Sequence, residues 1–117
     1  GGMNMSEKIK TPYKIKKQSV YLWAPVTLDK PTHDRLESYL PTFLSAPSKY
    51  PFISGIRACD EVYRELVDCD IIDSYEYEKK CRNLRKSFPH FIVGEGRGLY
   101  HYYLEEDFQQ WILEEFA

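Results

Sequence analysis

Residues 73–98, D-S-Y-E-Y-E-K-K-C-R-N-L-R-K-S-F-P-H-F-I-V-G-E-G-R-G, leave few local structures open. Pro89 has no backbone N–H and disfavours helical geometry in the residue before it, so a helix arriving from upstream ends there. Tyr77, Cys81, Leu84 and Phe88 recur at i, i+4, i+7 and i+11, which puts them on one side of that helix. Lys79, Arg82 and Lys86 recur at i, i+3 and i+7 on the other side, with Asn83 and Arg85 flanking them. Asp73 and Glu76 have the spacing of a capping box. After the proline, residues 91–93 form an apolar strand run, and Gly94, Gly96 and Gly98 bracket Arg97 at what should be a hairpin tip. The stretch predicts a helix with one apolar and one basic face, followed by a basic glycine hairpin.

The rest of the chain has to support that unit. Its 117 residues suffice for one small domain, or a small domain with an extension. With 43% hydrophobic, 29% charged and 15% aromatic residues, the composition is that of a folded globular protein rather than a disordered one. No apolar run approaches the ~20 residues a membrane helix needs, and no secretory leader is evident, so the expectation is a cytoplasmic protein without membrane contact. Gly1 and Gly2 before Met3 read as a cloning scar. Three cysteines, an odd number without a C-x-x-C pair, argue against a disulfide framework. Cys81, His90 and His101 match no familiar zinc spacing, so no metal is expected. Residues 1–56 carry eight Lys/Arg against four Asp/Glu, and residues 57–117 eight against fourteen. The basic helix therefore lies in the acidic half of the chain.

Taken in order, residues 1–12 read as a flexible arm, and residues 13–23 as one strand rich in β-branched and aromatic side chains. Leu36, Tyr39, Leu40, Phe43 and Leu44 keep helical spacing, with Pro41 predicted to kink or break the helix. Two prolines and two serines in residues 45–51 mark a boundary. This divides the chain into an N-terminal strand-helix extension, 13–50, packed on a module, 51–117. Within the module, Cys59, Val62, Tyr63, Leu66 and Val67 define a helix, and a short connector leads into the basic helix. Residues 91–93 should pair with 99–103. Glu105, Glu106 and Asp107 open a last helix with Phe108, Trp111, Ile112 and Phe116 on its buried face. The fold class is α+β, and its second half reads helix, helix, hairpin, helix.

That order, closing with F-P-H-F-I-V-G-E-G-R-G-L-Y-H-Y-Y-L-E-E-D-F-Q-Q-W-I, resembles the excisionase and MerR-like winged helix-turn-helix superfamily over roughly the second half of the chain. The resemblance implies a DNA-binding accessory or regulatory protein of a phage or mobile element, with double-stranded DNA as partner. It places the helix of residues 74–87 in the major groove, with Tyr75, Lys79, Arg82 and Asn83 toward the bases. Arg85 and Lys86 would hold phosphate, and Arg97 would reach the adjacent minor groove or backbone. R-E-L-V-D-C-D-I-I-D stands where members carry a small-residue turn.

The same residues admit another reading. Lys79, Arg82 and Lys86 would then form a solvated face laced by Glu76–Lys80 and Glu78–Arg82 pairs. The protein would be an interaction module, an adaptor or inhibitor keeping the shape without reading DNA, and its tyrosines suit an interface. Edge pairing of the N-terminal strand would allow a homodimer in either case. No nucleophile–base pair, paired metal ligands or nucleotide fingerprint is present, so neither an enzyme nor a cofactor is expected.

Overall fold

A computed structural model describes residues 7–15, 18–24, 30–95 and 98–117, with side chains described from residue 18 onward except at Glu95. Among these residues, five strands and five helices follow one another as β1 (Glu7–Ile15), β2 (Gln18–Ala24), α1 (Lys30–Ser38), α2 (Leu40–Ser45), β3 (Phe52–Ser54), α3 (Gly55–Asp68), α4 (Ser74–Ser87), β4 (His90–Glu95), β5 (Gly98–Leu104) and α5 (Glu105–Glu115). The strands form one antiparallel sheet in the order β1-β2-β4-β5-β3. The fold is mixed α and β, as the sequence predicts.

Alternation along the central strands explains the layering. Phe91 and Val93 on β4, Phe52 on β3 and Leu104 on β5 pack with Val20 and Leu22 of β2 against Leu36, Leu40 and Phe43 of α1 and α2. Ile53 and Tyr103, one residue out of phase, share the second cluster with Ala58, Val62 and Leu66 of α3, Cys81 and Leu84 of α4, and Phe108, Trp111 and Ile112 of α5. Period-two strands thus present one apolar set to each helical layer. At the centre of the first layer the Phe43 ring stacks on Phe91 at 4.5 Å and meets Phe52 edge-on at 5.1 Å.

Three expectations change. The single strand predicted over residues 13–23 is a pair, β1 and β2, and β1 takes up residues 7–12 of the predicted arm. No glycine, proline or asparagine separates the two strands, so the usual hairpin signal is missing. The predicted boundary at residues 45–51 does not divide the sheet, because β2 joins β4 and extends it. The buried side of α3 runs through Ala58, Val62 and Leu66, while Tyr63 and Val67 are exposed. Tyr63 packs edge-on against Tyr77 at 5.8 Å, outside the core. The predicted break at Pro41 falls as expected, with α2 starting one residue before it.

Candidate nucleic-acid interface

Helix α4 is fixed at both ends by its sequence. Asp73 sits in extended geometry at the N-cap, where its Oδ1 accepts from Tyr75 N at 2.9 Å. Phe88, extended before Pro89, ends it. Cys81 and Leu84 are buried, with Tyr77 and Phe88 packed beside them, so the predicted apolar face is the buried one. The orientation of every other side chain on α4 follows from that.

Tyr75, Lys79, Arg82, Asn83, Arg85 and Lys86 are all exposed. Tyr75, Lys79, Arg82 and Lys86 follow one another at helical spacing in a single stripe, with Asn83 at its border. Arg85 lies to the side, facing a groove that it lines with Tyr77, Cys81 and Leu84. Arg97 lies outside the described residues. The Glu76–Lys80 and Glu78–Arg82 pairs open to the helix are not formed among the described residues. Lys80 instead reaches Glu115 at 2.9 Å and lies 5.1 Å from the centre of the Phe116 ring, tying α4 to α5. Among the described residues, Lys79, Arg82, Arg85 and Lys86 make no ion pair.

The connection between α3 and α4 is compact. Ile71 N bonds to Leu66 O at 2.8 Å and Asp70 N to Val67 O at 3.0 Å, with Asp70 left-handed at φ 61°. This is the hydrogen-bond pattern of a Schellman ending with aspartate where glycine is usual. The arrangement gives two helices joined by a short turn, then the β4–β5 hairpin. No family model, no curated protein and no solved structure matches this chain.

The groove beside Arg85 encloses about 620 Å³ between the start of α3, the inner side of α4 and the first residues of β5. Ser54, Gly55, Tyr77, Tyr100 and His101 contribute to its walls, and Ile56, Leu99 and Tyr100 around it are exposed. Beneath its floor, His90 is 1% exposed and bonded at both ring nitrogens. Its Nδ1–H donates to Phe88 O at 2.7 Å, which leaves Nε2 to accept from His101 Nδ1 at 2.7 Å. Burial pushes the His90 pKa down to about 3, and His101 and Arg85 oppose a positive charge there, so the ring stays neutral. Tyr103, whose ring lies tilted against His90 at 4.5 Å, has a buried hydroxyl without a hydrogen-bond partner among the described residues.

The sequence did not disclose this groove or the histidine pair, although the predicted hairpin contained the signal. Pairing residue 92 with residue 101 brings the neighbouring residue 90 beside 101 on the same face. Among the described residues, His33, Asp34 and Glu37 on α1 place ligand atoms within 4.8 Å of one another. Asp34 and His33 already contact each other, and Lys30 holds Asp34. No argument for a resident metal follows from such an exposed cluster.

Proposed function

We propose that this protein is a small DNA-binding accessory or regulatory protein of winged helix-turn-helix type. In this reading α4 enters the major groove of duplex DNA and the β4–β5 hairpin lies alongside. What supports it is the outward stripe of α4: Lys79, Arg82 and Lys86 face solvent with Tyr75 on one capped helix, Arg85 is exposed to one side, and several carboxylates of the acidic half are engaged elsewhere. Arg35 takes Asp107, with Nη1–Oδ2 and Nη2–Oδ1 both at 2.9 Å, and also Glu106, while Lys80 takes Glu115 and Arg64 takes Glu61. Arg35, from the first half of the chain, therefore offsets part of the acidic surplus of the second half away from the stripe. Tyr75, Lys79, Arg82 and Asn83 are assigned to base edges, Arg85 and Lys86 to phosphate, and Arg97 to the adjacent minor groove or backbone.

Reversing Lys79 and Arg82 to glutamate should lower affinity for mixed duplex DNA at low salt by roughly tenfold or more in a gel shift. Both side chains are exposed, so the fold should be unaffected. Duplex binding undiminished in the double variant would sink the assignment.

A second reading has its own observation. Beyond the Ser54↔Tyr102 pair, the outer edge of β5 at residues 98–100 has no strand beside it among the described residues. It adjoins the groove with its exposed Ile56, Leu99 and Tyr100. A protein-interaction module would use this edge to add an extended segment of a partner as a further strand. That reading predicts no duplex binding at any salt concentration, together with loss of a defined partner when Tyr100 is replaced by aspartate.

A further inference from the structure

Two cysteines placed on different helices meet at the groove. Cys59 on α3 is half-buried and packs against the core cluster that holds the buried Cys81 of α4. Cys59, Tyr77, Cys81 and Arg85 border both the large groove and a smaller hollow beside it, which also reaches Glu78 and Arg82. A small solute therefore has a path to Cys59, and Cys81 borders the same space with only 5% of its surface exposed. Cys69, by contrast, stands alone and exposed at the end of α3.

We propose that Cys59 and Cys81 are a peroxide-reactive thiol pair that closes to a disulfide between α3 and α4. The surroundings favour ionisation at Cys59. The Cys81 thiol donates to it and the Arg85 guanidinium stands nearby, bringing its pKa down to about 7, whereas Cys81 is pushed up by the same contact and by burial. Asp60 works against that charge on Cys59 and Tyr77 supports it, while Tyr77 itself is pushed up to about 12, chiefly by burial.

The chemistry balances with hydrogen peroxide as the oxidant. The Cys59 thiolate attacks one peroxide oxygen, the O–O bond breaks, and hydroxide leaves to be protonated to water, giving Cys59 sulfenic acid. The Cys81 sulfur then attacks the Cys59 sulfur and loses its proton. The S–O bond breaks, the second water leaves, and one S–S bond has replaced two S–H bonds. Two electrons pass from the thiols to the peroxide. A half-buried thiolate with a second, buried thiol bordering the same hollow is an arrangement that stops oxidation at the disulfide.

The test uses the full chain carrying Cys69→Ser, so that crosslinks between molecules do not contribute. After brief treatment with hydrogen peroxide, the expected intact mass is lower by two hydrogen atoms. A non-reducing digest should join the peptides of Cys59 and Cys81, and dithiothreitol should reverse the change. Cys81→Ala in the same background should leave Cys59 as a sulfenic acid trapped by dimedone, and Cys59→Ser should leave Cys81 unreacted. Two thiols still open to maleimide after peroxide would overturn the proposal, as would oxidation of Cys59 to the sulfinic acid with Cys81 untouched. None of these readouts depends on DNA, so this inference and the DNA-binding reading stand or fall separately.

Discussion

At the scale of single residues, the polar atoms inside the sheet carry the clearest consequences. His90 is neutral in the fold because both ring nitrogens are committed and burial disfavours its charge. Its ordinary pKa of 6.5 is depressed to about 3 on folding. The unfolded chain therefore binds a proton that the folded chain refuses between those values. The stability this group contributes is complete above pH 6.5 and is lost progressively as pH falls toward 3, with a limiting slope of about 1.4 kcal/mol per pH unit. Urea unfolding followed across this range should show the wild type losing that component while His90→Gln lacks it. Parallel profiles for the two proteins would contradict the account. Tyr103 poses the opposite case, because its hydroxyl is buried without a partner among the described residues. Tyr103→Phe should raise stability by about 1 kcal/mol in thermal unfolding, since a desolvated group is removed and the ring packing is kept. Destabilisation would show that the hydroxyl is satisfied after all.

At the scale of elements, the turn between α3 and α4 sets how the basic stripe is presented. Asp70 holds a left-handed conformation that glycine adopts without penalty, and its backbone closes the end of α3. Asp70→Gly should therefore stabilise by about 0.5–1 kcal/mol without changing the helix pair, read as a higher melting temperature. A lower one would mean that the aspartate side chain supports the turn in some other way. Legibility at this scale followed the strength of the local pattern. The buried side of α4, the stop at Pro89, the β4–β5 pairing and the buried face of α5 all stood in the spacing of Tyr77 to Phe88, in one proline, in glycine punctuation and in Phe108, Trp111 and Ile112. The three residues of β3 are too few for a period to show. Between β1 and β2 the sequence lacks the residues that announce a turn, and helical spacing puts Tyr63 on the buried face of α3 although it gains a ring contact without entering the core. For the candidate site, exposure of the α4 cations could be inferred from the apolar face opposite. Their freedom from carboxylates could not, because Lys80–Glu115 and Arg35–Asp107 join residues far apart in sequence.

At the scale of the whole molecule, the sheet joins what the sequence divided. β2 extends the hairpin sheet, so the first half of the chain is structurally continuous with α4's support rather than an appendage. Among the described residues no helix is long and apolar enough to cross a membrane. The charge map is equally a property of the assembled fold. A chain of net charge -2 presents a cationic stripe on α4, while Glu106, Asp107 and Glu115 are held in ion pairs by Arg35 and Lys80. The most direct test of the central claim is an anisotropy titration of fluorescent duplex DNA over a series of salt concentrations, with the wild type and with Lys79→Glu/Arg82→Glu. The account predicts measurable binding by the wild type, with a log–log salt slope steeper than that of the double variant by about two. Equal affinities and equal slopes for the two proteins, or no binding by the wild type at low salt, would contradict it.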